Sequence, residues 1–187
     1  RALLADICDQ PRIHALFDQH HPDVVFHCAA HKHVPMMEAN PGEAIKNNVF
    51  GTKTVADAAA RSHCHAFVLI STDKAVNPTS VMGAAKRCAE LYTQSLNSPD
   101  PNPRNPTRFL AVRFGNVLAS SGSVVPIFQK QIDAGGPVTV THPDMQRFFM
   151  TIPEAAQLVM LSGAIGLGGE IFVLDMGQSI RILDLAR

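Results

Sequence analysis

The chain has 187 residues, 46% of them hydrophobic and 17% charged, which suits one soluble globular domain with a sizeable core and excludes a disordered chain. Sixteen Lys and Arg residues balance sixteen Asp and Glu, so no global field points to nucleic acid, and an anionic ligand needs a local site. No apolar run nears the ~20 residues of a membrane span, and no signal-peptide pattern follows Arg1, so membrane contact from this stretch is not expected.

In chain order, residues 2–7 read as a strand closing on Asp6, and 11–20 as a short helix with Ile13, Leu16 and Phe17 on one face. Residues 24–30 form the second strand and 31–41 a loop. Residues 43–61 carry Ala44, Val49, Val55, Ala58 and Ala59 at helical spacing, and 66–71 is a third, buried strand. A helix over 80–96 precedes the stretch 97–107, whose four prolines make it a surface loop. Then come a strand at 109–114, a helix at 124–134 stopped by Gly135-Gly136-Pro137, a short strand at 138–141, a helix at 153–163 and a strand at 171–175. Residues 180–187 begin an amphipathic pattern that stops before any cap, and both chain ends read as those of a fragment. Strands alternating with helices of this length predict a doubly wound α/β fold with a parallel sheet. The looser pattern after Gly115 predicts a small lobe packed against it.

Cys8, Cys28, Cys64 and Cys88 are scattered, and three of them lie in or beside apolar runs, as reduced core thiols would. His27, His31, His33, His63 and His65 have no acid or thiol partner at metal-ligand spacing, so no metal site is expected. Gly166 to Gly169 precedes a strand and reads as a turn rather than a phosphate loop.

The strand at 66–71 leads into Ser71, Thr72, Asp73 and Lys74, which puts two hydroxyls, an acid and an amine where open α/β sheets hold ligands. Met82 and Lys86 follow, four residues apart on one helix face. Taken alone, Asp73 and Lys74 read as a solvated turn pair and Met82 as core. Asp6, followed by Ile7, suits either an adenine or ribose contact or the N-cap of the next helix. Cys28, Ala29 and Ala30 are small enough to let a ligand approach the backbone, and equally suit plain packing. Asn116, Val117 and the small-residue loop 120–123 precede a helix whose first amides can hold a diphosphate. Arg147 can pair bidentately with such a group or with a surface acid; the three apolar residues after it favour the ligand.

Several runs then carry a resemblance. They are Ser71-Thr72-Asp73-Lys74-Ala75-Val76-Asn77-Pro78-Thr79 with Met82-Gly83-Ala84-Ala85-Lys86-Arg87, His31-Lys32-His33-Val34-Pro35-Met36-Met37-Glu38, Asn48-Val49-Phe50-Gly51-Thr52, Arg113-Phe114-Gly115-Asn116-Val117 and Arg147-Phe148-Phe149-Met150-Thr151. The chain resembles the extended short-chain dehydrogenase/reductases, and within them the polysaccharide-biosynthesis nucleotide-sugar 4,6-dehydratases. Met82 stands where that family's helix normally carries tyrosine, which resembles the longer, membrane-anchored members acting on UDP-N-acetylglucosamine.

The resemblance implies NAD as cofactor, bound around Asp6, Ile7, Ala29, Ala30, His31, Asn48, Ser71 and Lys86. It implies a UDP-sugar substrate met by His33, Asn116, Val117, Ser123, Val124, Val138, Val140 and Arg147, and catalysis by Thr72, Asp73, Lys74, Met82 and Lys86. Desolvation in a closed cleft would make Lys74 the base at sugar C5 and keep Asp73 protonated as the acid for the departing C6 hydroxyl. Thr72 would orient the C4 hydroxyl, Lys86 would sit near the nicotinamide ribose, and Met82 would wall the sugar.

Residues 1–114 would be the cofactor domain with its catalytic stretch at 70–90, and 115–187 a substrate lobe interleaved with the last strands. A homo-oligomer in the cytoplasm is implied, with the parent chain at the cytoplasmic face of the inner membrane. The family's glycine-rich fingerprint is expected N-terminal to Arg1, so that these 187 residues alone would bind NAD weakly or not at all and be inactive. Two alternatives stay open: a nucleotide-sugar 4-epimerase, and a non-catalytic nucleotide-sugar-binding module.

Overall fold

Helix formation begins where Asp9 can cap it: its Oδ1 accepts from Arg12 N at 3.1 Å, with Pro11 in the first turn. The computed structural model describes residues 1–97, 106–118, 120 and 123–186. Its helices are α1 (Gln10–His20), α2 (Val34–Ala39), α3 (Pro41–Ala44), α4 (Thr52–Arg61), α5 (Val81–Ser95), α6 (Val124–Asp133), α7 (Ile152–Ile165) and α8 (Ile182–Leu185). Its strands are β1 (Val24–His27), β2 (Ala66–Thr72), β3 (Arg108–Phe114), β4 (Asn116–Val117), β5 (Gln146–Arg147), β6 (Phe149–Met150), β7 (Ile171–Val173) and β8 (Ile180–Arg181). Two compact units result, Arg1–Arg113 with Leu161–Val173, and Phe114–Met160 with Leu174–Arg187.

The first unit holds a sheet in the order β1-β2-β3-β7. β1 and β2 run parallel with Val24 opposite Ala66 and His27 opposite Leu69, and β3 and β7 run parallel with Ala111 opposite Ile171. Alternation along β2 and β3 sends Phe67, Leu69, Phe109 and Ala111 to one face, where they pack against Ile13, Val55, Ala56, Ala58, Ala59 and Ala89 of α1, α4 and α5. Val68 and Leu110 face the other way. A Cβ on Gly163 would come within 3.0 Å of Val68, and one on Gly166 within 2.7 Å of Leu110, so the end of α7 lies flush on that face. With both faces covered, β2 is apolar along its length, and each large side chain so buried contributes roughly 1.5–3 kcal/mol. This is the Rossmann-like, doubly wound parallel arrangement that the alternation of elements predicts.

The second unit contains a parallel pair, Asn116 opposite Phe149, and an antiparallel pair, Arg147 opposite Ile180. α7 starts in it with a reciprocal cap: Thr151 N donates to Glu154 Oε2 at 2.8 Å while Glu154 N donates to Thr151 Oγ1 at 3.3 Å.

Several expected elements come out differently. Residues 2–7 form no strand; they pair with no neighbouring strand, Leu4 is 94% exposed, and Asp6 Oδ1 accepts from Cys8 N at 2.8 Å to make a turn. The second strand ends at His27 rather than residue 30, and the last stops at Val173. The loop expected over 31–41 contains α2, started by Pro35 in its first turn.

The helix expected over 43–61 begins at Pro41 and passes through a π-helical stretch, Ile45–Gly51, before α4. Residues 138–141 are not a strand, because their polar groups turn to a side chain: Thr139 N donates to Gln131 Oε1 at 3.1 Å and Gln131 Nε2 to Thr139 Oγ1 at 2.7 Å. The amphipathic tail resolves into β8 and the short α8. Of the four thiols only Cys64 is core; Cys28 and Cys88 are exposed and Cys8 is half-buried. Most of the proline-rich stretch, 98–105, and positions 119, 121, 122 and 187 lie outside the described residues. Among those described, no helix is long and apolar enough to cross a membrane.

Candidate active site

β2 carries its apolar run to Ile70 and ends in polar residues. Thr72 Oγ1 donates to Asp73 Oδ1 at 2.8 Å and accepts from Lys74 N at 3.3 Å, which caps the short 3-10 turn Asp73–Ala75. Lys74 Nζ donates to the same Asp73 oxygen at 2.9 Å. The turn is pressed against α5: a Cβ on Gly83 would lie 2.3 Å from Lys74 O, a space only glycine leaves open. α5 starts there because Ser80 Oγ accepts from Gly83 N at 3.1 Å and Glu38 Oε1 from Val81 N at 2.7 Å, satisfying two of the helix's first amides.

Burial alone would raise the Asp73 carboxyl, but the Lys74 ammonium and the Thr72 hydroxyl outweigh it and hold the carboxyl below its ordinary value. Asp73 therefore rests as a carboxylate in this open turn, and the protonated form expected of it belongs to a closed cleft. Lys74 is not desolvated either, since its side chain keeps 35% of its exposure. The lysine that the fold does bury is Lys86. Its Nζ donates to Ile70 O at 2.6 Å, and burial lowers its pKa to about 8 against the opposing pull of Cys28 and Glu90.

Met82, one turn before Lys86, packs with Met37, Ala44 and Ala85 at 4% exposure and is part of the core. His33 is exposed at the N-cap of α2. Ala29 and Ala30 follow the end of β1, and neither carries a side chain that would block a ligand from the backbone there. Asn48, in the π stretch, is fully buried, and both ends of its amide are spent on one residue: His31 N donates to Oδ1 at 2.7 Å and Nδ2 donates to His31 O at 2.9 Å. Asn48 thus fixes the backbone after β1.

Beneath it, Thr52 Oγ1 gives its one proton to Asn48 O, so His27 Nε2, 3.0 Å away, must be the donor to Thr52. Burial first, and the Lys86 charge second, lower the His27 pKa to about 4, which leaves the ring neutral. Ile7 is half-buried, and a Cβ on Gly51 would come within 2.5 Å of it. Asp6 makes its turn with Cys8 while Asp9 takes the cap, so the N-cap alternative for Asp6 falls away.

Ser71 is committed to a group that sequence reasoning missed. Its Oγ donates at 2.5 Å to Glu90 Oε1, a fully buried carboxylate that Arg113 and Arg87 also hold. The available signal was the spacing of Met82, Lys86 and Glu90, which puts an acid on the buried face of α5.

In the second unit, Asn116 and Val117 lie on β4, and Asn116 N donates to Phe148 O at 3.1 Å, beside Arg147 on β5. Arg147 is half-buried and donates to Gln146 O at 2.8 Å. Ser123 sits at the N-cap of α6, with no side-chain cap bond among the described residues, and Val124 begins the helix. Val138 and Val140 flank Thr139, which is tied to Gln131 of α6.

The parallel sheet is Rossmann-like and of short-chain dehydrogenase/reductase type, and at one strand end it gathers a threonine, an acid-lysine pair and a buried helical lysine. The particular family follows from comparison: a model described as "Polysaccharide biosynthesis protein" matches residues 1–187, and the chain belongs to that family.

The chain is 57% identical over 185 residues to the capsular polysaccharide biosynthesis protein CapD of Staphylococcus aureus, covering 99% of this chain and 30% of that protein. A UDP-glucose 4-epimerase from Rickettsia canadensis is 42% identical, over 82% of this chain and 45% of its own length. A UDP-N-acetylglucosamine 4,6-dehydratase (inverting) from Campylobacter jejuni is 37% identical, over 100% and 54%. Among solved structures, Pen from Bacillus thuringiensis superposes with a TM-score of 0.92 at 39% identity, covering all of this chain and 56% of that one. The chain thus spans between about a third and a half of the length of these relatives.

Proposed function

We propose that this chain is the catalytic part of an NAD-dependent nucleotide-sugar 4,6-dehydratase acting on UDP-N-acetylglucosamine in polysaccharide biosynthesis. The observation that carries the reading is the Thr72–Asp73–Lys74 turn, with Lys86 bonded to the strand just before it. An epimerase has no water to expel and no use for a second acid-base pair at C5 and C6.

The residues fit the cofactor. Ala29 and Ala30 leave the backbone after β1 open, Asn48 locks the adjoining His31, and the Lys86 ammonium has three hydrogens, of which Ile70 O takes one. NAD, when bound, supplies the oxidation at C4 and the hydride returned to C6. Lys86 would meet the nicotinamide ribose, Asp6 and Ile7 the adenosine end, and Ser71 would fix the strand end beneath the ring. In the second unit, Asn116, Val117, Ser123, Val124, Val138, Val140 and Arg147 are the residues that would meet the UDP-sugar, and in the first unit His33 is the candidate.

The acid-base step then belongs to the turn. One proton passed from Lys74 to Asp73 across their 2.9 Å contact produces both agents at once: a neutral amine to take the C5 proton and a carboxylic acid to protonate the leaving C6 hydroxyl. Elimination of water restores the resting ion pair, so the step balances. In water that proton transfer costs ~9 kcal/mol. The half-exposed pair must lose its water to a bound sugar before the cost falls, because desolvation penalises the two charges and favours the neutral pair. Thr72, whose proton goes to Asp73, can accept from the C4 hydroxyl and orient it. The C4 proton is released to solvent as the ketone forms. The Lys74 ammonium returns a proton to C5 as C6 is reduced, then regains one from solvent to restore the resting pair. Met82 would contribute only shape.

The test is mass spectrometry of UDP-N-acetylglucosamine incubated with the intact protein and NAD. A product lighter by one water supports the reading. The 42% identity to an epimerase favours a second reading, 4-epimerisation, which a product of unchanged mass but altered sugar configuration would establish. Binding without any product would leave a non-catalytic module.

A further inference from the structure

Glu90 is the most buried acid near the site, and the acid-base steps above do not use it. It has no exposure, yet its carboxylate receives four hydrogen bonds: Ser71 Oγ at 2.5 Å, Arg113 Nε at 2.8 Å, Arg113 Nη2 at 2.6 Å and Arg87 Nη1 at 3.0 Å. These fill the lone-pair positions of a carboxylate. A buried ion network of this kind is poor evidence for stability, since apolar residues of similar volume often serve as well.

Its position relative to Lys86 suggests another use. The two residues are one helical turn apart on α5, and they grip consecutive residues of β2 with opposite polarity. Lys86 donates to Ile70 O at 2.6 Å, and Ser71 donates back to Glu90. Rotating α5 by one residue, about 100°, would break both contacts together. Arg113, from β3, keeps the carboxylate from swinging away.

We propose that Glu90 is a positioning residue that, with Ser71, straps α5 to the end of β2 and thereby sets the Lys86 ammonium. The strap stands on the geometry alone; its consequence for NAD rests on the function proposed above.

The test is the double variant Glu90→Met/Arg113→Met in the intact protein. It removes one charge of each sign, so the net charge around Lys86 is kept, and it fills the buried volume. Acetylation of Lys86 is followed by mass spectrometry against exposed Lys130 as internal reference, with NAD affinity from calorimetry and folding from thermal denaturation. The expected result is a folded protein in which Lys86 acetylates about tenfold faster relative to Lys130 and NAD binds about tenfold more weakly, the loss of one charged hydrogen bond. An unchanged acetylation ratio overturns the strap. Faster acetylation with unchanged NAD affinity supports the strap and removes Lys86 from the proposed cofactor site. If the double variant does not fold, Ser71→Ala, which leaves the Glu90–Arg113 pair intact, should shift the ratio in the same direction; a folded Ser71→Ala protein with the wild-type ratio overturns the inference.

Discussion

Replacing Gly83 by alanine tests whether the proposed acid-base turn is held by its contact with α5. The added methyl would stand 2.3 Å from Lys74 O and 3.2 Å from Ser80 Oγ. The first neighbour is backbone and cannot rotate away, so α5 and the turn must separate by about 1 Å to restore ordinary contact. Alanine gains about 1 kcal/mol of helix propensity over glycine, and forced opening of packed backbone costs about 1–3 kcal/mol, so the net loss is small.

A chain of this size should lose no more than about 4–8 °C in Tm. Activity should suffer far more, because a shift of about 1 Å in an acid-base group costs on the order of 100-fold in rate. Gly42→Ala is the control, since no atom lies within 4 Å of the added methyl. Thermal denaturation and product mass spectrometry on both variants give the answer. A Gly83→Ala protein with wild-type turnover would show that catalysis does not depend on where α5 holds the Lys74 turn.

Further outcomes follow from the same geometry. Lys74→Ala should abolish water loss while leaving the Tm within a degree or two, because its partner is a partly exposed surface pair; surviving dehydration would remove Lys74 as base. Ser80→Ala should cost about 1 kcal/mol through the lost cap at Gly83 N, read by chemical denaturation. His27 is held down to about 4, below its ordinary 6.5. The unfolded chain therefore binds its proton first, so stability is full above pH 6.5 and is lost as pH falls towards 4. His27→Gln should flatten that part of a Tm-against-pH curve, and an unchanged slope would count against the buried neutral ring.

The sheet was legible because burial on both faces writes itself into sequence: 66–70 is a continuous apolar run, and 109–112 another. The strand-end cluster was legible for the same reason, since polarity begins abruptly at Ser71. Residues 2–7 misled because an apolar run states only that a strand is affordable, whereas a strand exists only where another backbone pairs with it. α2 was hidden by Pro35, which reads as a breaker until it is placed in the first turn of a helix. At 138–141 alternating valines suggested a strand, and the competing partner, Gln131, lay in a helix that no local pattern connects to it. The protonation state of Asp73 was beyond reach of the sequence, because it depends on where Lys74 Nζ points. Glu90 and Arg113 are separated by 23 residues, and only the sheet brings them together.

The π-helical stretch Ile45–Gly51 bears on how such a site is inherited. A π turn holds one residue more than the α turn it replaces. Losing any single residue there would let the segment relax to ordinary helix and turn everything before it by about 100° against α4. The amide of Asn48 would then leave His31, although every letter around it stayed the same. The clasp is therefore recorded in the length of the segment as much as in its residues, and a deletion of one codon would erase it more thoroughly than most point mutations.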